Sequence, residues 1–379
     1  MKIVFFTHER AFGGASRALV TLINEIKKDN NIVVVAPFKD TKIFEYLDKD
    51  IETISTLYGW WSIPQNISIL KKILFRLLYK FNFISIYRLK RILKKMDVDL
   101  IHTNTSVIDI GAKVANKLQV KHVWHFRELQ DYRFKFIRGD QKSYKYINGN
   151  TNKVIYVSGA VKDFYKKKIN CNISEVVYDG VPKSYIIKKN YPTKKVIKFL
   201  LIGSIEKNKG QELVIEASLK IINKGITDFE VCFAGNDMTG YYSFLKDKIE
   251  KYNLHKHIKY VGFQKDVSSL RKKYDVELMC SSSEAFGLVT VEAMMAGNLV
   301  IGSNCGGTSE IIRNNINGIL FEKENSDDLA KKMIYIMNNK YLIEKYGKQG
   351  QIDSLNNFSS EIYAKNIMAE YKKILKVNQ

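Results

Sequence analysis

An alternation of short apolar runs with helical stretches, carried through once and then begun again, limits what this chain can fold into. In the first half the runs are "KIVFFTH", "NIVVVAP", "DLIHTN", "KHVWHF" and "KVIYVS", with amphipathic stretches such as "ASRALVTLINEIKK" between them. After the lysine-rich connector "KSYIIKKNYPTKKV" the pattern resumes with "IKFLLIGS", "FEVCFAGN", "HIKYVGF", "DVELMCSSS", "NLVIGSN" and "NGILFE". Strands interleaved with helices build a parallel sheet covered on both faces. Two rounds in 379 residues predict an α/β protein of two doubly wound, Rossmann-like domains facing across a cleft. The first domain is expected over residues 1–190 and the second over 191–357, hinged near 185–197. A last helix over 358–379 has apolar residues at helical spacing and is expected to pack back towards the first domain.

Ligands of open parallel sheets sit beyond the carboxyl ends of the strands, where loops lead into helix N-termini. The polar clusters of this chain fall at such ends: residues 8–17, 102–105 and 125–128 in the first half, and 203–210, 235–237, 262–266, 281–292 and 306–310 in the second. In "SSSEAFGLVTVEAMMAG", Glu284 and Glu292 are separated by seven residues around the start of an apolar helix expected near Leu288. The backbone amides of Phe286, Gly287, Leu288 and Val289, together with the helix dipole, favour a phosphate there. Carboxylates would repel that phosphate, yet they accept strong hydrogen bonds from hydroxyl groups on either side of it. Hydroxyls at both ends with phosphates between describe a nucleotide sugar, with Glu292 towards the ribose and Glu284 towards the transferred sugar.

"EAFGLVTVE" resembles the E-x7-E signature of retaining glycosyltransferases with the two-Rossmann GT-B architecture, family 4 in particular. The likeness covers most of the chain: "LIGSIEKNKGQE", "FAGND", "YVGFQKDV" and "GGTSEIIRNNINGILFE" in the second half, "GGASRALV", "DLIHTNTS", "HVWHFREL" and "VIYVSGAV" in the first. The resemblance implies that Glu292 binds the ribose and Glu284 contacts the donor sugar near its reacting carbon. It implies that Lys209 neutralises the diphosphate leaving group, that Gly13 and Gly14 form the turn that approaches the phosphates, and that His125 lies near the donor sugar. Gly203, Ser204, Gly235, Phe263, Phe286, Gly287, Leu288 and Val289 complete the implied donor site, and Arg17, His102, Asn104, Thr105, Arg127 and Glu128 the acceptor site. Arg127 and Glu128, adjacent in "HFRE", can also pair with each other. Ser204 stands where many relatives carry arginine, which puts more of the charge on Lys209, helped by Lys207 or Arg17.

By this resemblance the chain is a retaining hexosyltransferase that needs neither metal nor cofactor. Its donor would be a nucleotide sugar, UDP favoured, and its acceptor a saccharide or lipid-linked saccharide of a bacterial surface polysaccharide such as capsule. The alternatives are a GT-B sugar-nucleotide epimerase or phosphorylase, and a nucleic-acid-binding protein suggested only by the net charge of +22. The lysines are spread along the chain rather than interleaved with stacking aromatics, so nucleic acid is not expected as a partner. Asp97 and Asp99 form a D-x-D at the start of a strand, away from the expected site, and are read as a turn. Four scattered cysteines without a CxxC pair fit a reducing cytoplasm and no zinc site, and no run approaches a membrane span. Residues 66–97 contain many basic residues and no acid before Asp97, with Ile69, Ile73, Leu77 and Leu78 at helical spacing and Trp60 and Trp61 just upstream. A basic amphipathic helix of this kind suits the headgroup layer of an anionic membrane, hence a peripheral position on its inner face. Loops over 8–17, 57–65 and 102–138 are expected to select the acceptor.

Overall fold

The computed structural model describes residues 1–129, 134–191 and 196–376, so parts of the expected hinge (192–195) and of the expected acceptor loop (130–133) lie outside the described residues. Two compact units divide the chain: Met1–Gly180 with the C-terminal segment from Ser360, and Val181–Ser359.

The first unit contains strands β1 (Lys2–Phe6), β2 (Asn31–Ala36), β3 (Glu52–Ser55), β4 (Ser62–Pro64), β5 (Leu100–Thr103), β6 (Lys121–Phe126), β7 (Phe134–Phe136), β8 (Lys153–Tyr156) and β9 (Ser174–Val176). Seven of them form a parallel sheet in the order β3-β2-β1-β5-β6-β8-β9, while β4 and β7 pair antiparallel. Its helices are α1 (Gly14–Ile26), α2 (Ile69–Lys80), α3 (Asn82–Leu93), α4 (Ile110–Leu118), α5 (Asp140–Asn150) and α6 (Gly159–Tyr165). Strands covered on both faces read as continuous apolar runs, which is why β1 and β2 show no alternation. Ile3, Phe5, Leu19 and Ile23 anchor the core on one face of this sheet, and Val4, Phe6, Ile101 and Val114 the core on the other.

The second unit repeats the design with β10 (Ile197–Ile202), β11 (Phe229–Ala234), β12 (Ile258–Tyr260), β13 (Val276–Met279), β14 (Leu299–Ser303) and β15 (Ile319–Phe321), all parallel in the order β12-β11-β10-β13-β14-β15. Its helices are α7 (Gln211–Ile222), α8 (Tyr241–Lys251), α9 (Val267–Lys273), α10 (Leu288–Met295), α11 (Thr308–Ile311), α12 (Ser326–Asn338) and α13 (Tyr341–Phe358). In each sheet the strand order reverses beside the central strand, between β1 and β5 and between β10 and β13. Such switch points open a crevice at the strand ends.

The boundary between units falls at Gly180/Val181 rather than at 190/191. The reason lies in what residues 181–191 bond to. Val181 N donates to Phe358 O at 2.9 Å, and the Lys189 ammonium donates to Arg271 O at 2.5 Å, to Asn298 Oδ1 at 2.6 Å and to Tyr274 O, so this segment belongs to the second unit. The last helix, α14 (Ser360–Leu375), packs on α1 and puts Tyr363, Ile367 and Tyr371 into the first unit's core. The basic stretch forms two helices, α2 and α3, joined at Phe81, rather than one.

Candidate functional site

The carboxyl ends of β10 and β13 feed two loops that meet at one pocket of the second unit. Gly203 and Lys209 come from the loop after β10, and Ser281, Glu284, Gly287 and Val289 from the loop and first turn after β13. Helix α10 begins at Leu288, where the sequence places its start, and Gly287 precedes it at φ 106°. That left-handed value is accessible to glycine at little cost. Among the described residues the amides of Leu288 and Val289 meet no acceptor, so the positive end of α10 opens into the pocket. The Lys209 ammonium lies 3.4 Å from Glu284 Oε2.

Two glycines hold this loop in place. Gly307 N donates to Glu284 O at 3.1 Å, and a Cβ on Gly306 or Gly307 would stand 2.0 Å from Glu284 O or 2.1 Å from Phe286 O. Gly235, at the end of β11, is equally constrained: a Cβ there would stand 1.8 Å from Gly203 O, so only glycine lets the two strand ends approach. The Ser204 hydroxyl donates to Glu206 and its backbone carbonyl accepts from Gln211 Nε2 at 2.9 Å, so it shapes the loop. Phe263 stands 64% exposed in the loop after β12.

Glu292, one turn into α10, is buried, and its carboxylate accepts from Arg271 Nη2 at 3.3 Å. Arg271 is itself enclosed and forks onto Glu277, with Nε to Oε2 at 2.9 Å and Nη2 to Oε1 at 3.0 Å. Burial alone would lower the arginine's pKa, but Glu277 and Glu292 hold it above its ordinary value. Burial pushes the Glu277 carboxyl up, against the pull of Arg271. Neither Arg271 nor Glu277 was singled out from the sequence. An acid inside the strand "DVELM" was the available signal, because a buried carboxylate demands a partner.

In the first unit, residues expected to meet the acceptor turn inward. Arg127 is buried and donates to Asn104 Oδ1 at 2.8 Å, to Asp179 Oδ1 at 2.7 Å and to Tyr363 OH at 2.9 Å, and one nitrogen lies 3.3 Å from His125 Nδ1. Among the described contacts its guanidinium does not pair with Glu128, whose carboxylate accepts from Thr105 Oγ1 at 2.6 Å, from Ser106 N at 3.0 Å and from the Arg127 backbone N at 3.3 Å. His102, Asn104 and Thr105 are buried too, His102 bonding Tyr371 OH at 2.6 Å. His102, Asn104 and Arg127 thus bond to groups of their own unit, bracing the strand ends and α14. Arg17 and Glu128 remain partly exposed. Gly13 and Gly14 open α1, where Glu9 lies against Gly13 and accepts from Ser16 N at 3.1 Å.

His125 is fully enclosed. Burial, then Arg127 and His102, hold its pKa well below 6.5, so the ring is neutral near pH 7. Among the described residues its Nε2 has no hydrogen-bond partner, and neither has that of His102. Unsatisfied buried polar atoms of this kind are uncommon and mark strain or function. The Asp97–Asp99 turn lies at the other end of β5, with Asp97 at φ 52° and Asp99 Oδ2 accepting from Lys2 N at 2.8 Å. Among the described residues no three His, Cys, Asp or Glu side chains gather as metal ligands would, and no helix is long and apolar enough to cross a membrane.

Residues 12–185 match the family described as Glycosyltransferase Family 4, and residues 183–353 the family described as Glycosyl transferases group 1. An uncharacterized glycosyltransferase of Methanocaldococcus jannaschii is 28% identical over 292 residues, 75% of this chain and 78% of its own. The poly(ribitol-phosphate) alpha-N-acetylglucosaminyltransferase of Staphylococcus aureus is 25% identical over 88% of this chain and 65% of its own. Among solved structures, a glycosyltransferase of Rickettsia africae superposes with a TM-score of 0.83 at 22% identity, over 100% of this chain and 99% of its own. Anabaena HepE in complex with UDP-glucose gives 0.79 at 19%, over 98% and 100%. At these identities the structural likeness is one of fold, the GT-B architecture.

Proposed function

The chain belongs to glycosyltransferase family 4, and on that premise we propose that it transfers a hexose-type sugar from UDP to a saccharide or lipid-linked saccharide with retention of configuration. The observation that carries the reading is the pocket in which Gly203, Lys209, Glu284 and the N-terminus of α10 meet, assembled from two separate stretches of sequence. It offers a cation, free amides and a hydroxyl-binding carboxylate within one small space, which is the chemistry of a sugar diphosphate.

In this reading the diphosphate meets Lys209 and the amides of Leu288 and Val289. As the bond between the anomeric carbon and the phosphate oxygen breaks, the growing negative charge is stabilised by groups already oriented towards it. The acceptor hydroxyl attacks the same face and gives its proton to the departing phosphate, so no side chain has to act as base. Glu284 accepts from hydroxyls of the transferred sugar, Glu292 from those of the ribose, and the neutral His125 orients the sugar through Nε2. Arg17 and Glu128 are assigned to the acceptor. No metal is required, and the product belongs to bacterial surface polysaccharide synthesis, capsule included. The epimerase, phosphorylase and nucleic-acid readings draw no support from the relatives named above, which are glycosyltransferases.

The test is a calorimetric screen of the purified protein against UDP-, GDP- and dTDP-sugars, followed by transfer to candidate acceptors with NMR of the new anomeric proton. UDP-sugars should bind best, and the product should keep the donor's configuration. Failure of every nucleotide sugar to bind, or an inverted product, would overturn the reading.

A further inference from the structure

Helix α2 is held to its unit by one side only. Phe75 packs on Trp60 with ring centroids 5.5 Å apart, and Tyr79, the one residue of α2 that is buried, donates to Asp109 at 2.7 Å. Gly59 allows this close approach, since a Cβ there would stand 2.5 Å from the Tyr79 nitrogen. At about 100° per residue, Phe75, Leu78 and Tyr79 share that side, while Ile69, Ile73 and Leu77, with Leu70 and Leu74, project from the opposite one. The opposite side is open: Ile69 is 76% exposed and Leu70 79%. Helix α3 continues the surface with Phe83 and Tyr87, 64% and 65% exposed, while Ser85, Leu89 and Leu93 turn inward.

A contiguous apolar surface of this kind marks a contact with something else, and charge says what. Between Glu52 and Asp97 the chain holds nine lysines and arginines and no acid. A second copy of the same surface would bring like charges together. An anionic lipid surface matches both properties, apolar side chains entering the headgroup layer while Lys72, Arg76 and their neighbours meet phosphates. Trp60 and Trp61 take no part. Trp61 is buried against Trp124, ring centroids 5.2 Å apart, and donates to Ser106 O at 2.8 Å, and Trp60 is wedged between His8 and Phe75.

We propose that α2 and α3 together form a docking surface for an anionic lipid bilayer, with Phe81, Phe83 and Tyr87 as the aromatic anchors. This surface belongs to the first unit, and the proposal does not depend on which sugar is transferred.

Co-sedimentation of the full chain with vesicles tests it. The protein should sediment with phosphatidylglycerol–phosphatidylcholine vesicles and stay in solution with phosphatidylcholine alone. Replacing Leu70, Leu74, Phe83 and Tyr87 by Ser, or Lys71, Lys72, Arg88, Lys90 and Arg91 by Ser, should each lower the vesicle partition at least about tenfold. Seven of these nine side chains are exposed and Lys72 and Lys90 are half-buried, so the circular dichroism and melting temperature of both variants should match the parent. The proposal is overturned if the parent stays in the supernatant with anionic vesicles at low salt, or if the apolar variant binds as the parent does. It is also overturned if, without lipid, the parent dimerises through contacts that the apolar substitutions abolish.

Discussion

Glu292 and Arg271 show how one side chain governs another. In the role proposed for it the carboxylate would need a fixed direction to receive ribose hydroxyls, and Arg271 holds it while Glu277 pins the guanidinium from behind. A hydrogen bond to a charged group is worth about 1.5–3 kcal/mol, so Glu292→Ala should weaken UDP binding by about tenfold or more, read by calorimetry. Unchanged UDP affinity in that variant would remove Glu292 from the donor site. Arg271→Met would leave two carboxylates buried without their cation, at a cost of about 3–5 kcal/mol, and fold loss could mask any effect on binding. Arg271→Lys is the informative change, since a lysine keeps the charge but cannot fork onto two carboxylates. Its donor KM should rise several-fold with kcat little altered. Lys209→Ala should act in the other sense, lowering kcat by about a hundredfold or more, as loss of one charge-stabilising donor does, with a smaller change in donor KM. Addition of EDTA should leave the parent's rate unchanged, whereas loss in EDTA with recovery on manganese would give Lys209's role to a metal.

At the scale of the element, the loop between β13 and α10 depends on its neighbour. Gly307 has an ordinary φ of −64°, so its side-chain-free position is a matter of space alone. Gly307→Ala would press a methyl group against the Phe286 carbonyl and displace the Glu284–Gly287 loop. The expected result is a lower melting temperature together with weaker UDP binding, and a variant with both unchanged would show that the loop does not rest on Gly307. Much of this element was readable beforehand. The start of α10 at Leu288 follows from a glycine turn before an apolar run, and the two parallel sheets follow from strand spacing. Patterns of local spacing failed where long-range partners decide. Lys189 fixes its segment to the second unit through carbonyls more than eighty residues away. Arg127 pairs with Asp179 across fifty-two positions rather than with its neighbour Glu128. Arg271, within the run "RKK", looks like a solvated lysine-type residue until Glu277 and Glu292 are folded around it. The apolar positions of α2 show the converse case: their helical spacing was plain, but which way they face is set by Gly59, Trp60 and Asp109, none of which the spacing contains.

Over the whole molecule, the two units should respond differently to acid. His102, His122 and His125 are all in the first unit, and burial lowers the pKa of each, His122 to about 3 and the other two well below 6.5. Unfolding exposes all three, so below about pH 6.5 the unfolded chain takes up protons that the folded unit refuses. Stability is then greatest above pH 6.5 and falls as pH drops, by about 1.4 kcal/mol per pH unit for each histidine fully linked. In the second unit Lys189 is shifted to about 8, chiefly by burial. Its folded form sheds a proton that the unfolded chain keeps, so this residue makes stability rise between about pH 8 and 10.5. The three tryptophans, Trp60, Trp61 and Trp124, all belong to the first unit, so their fluorescence follows that unit alone. Urea titrations followed by tryptophan emission should therefore show the midpoint falling steeply from pH 6.5 to pH 5. His122→Gln should make the fall shallower by about one proton, since among the described residues the His122 ring bonds only the hydroxyls of Thr103 at 2.8 Å and Thr151 at 2.9 Å, which a neutral amide can also meet. A midpoint that stays level across that range in the parent would mean that the buried histidines are protonated in the folded unit, and that His125 does not meet the sugar as a neutral ring.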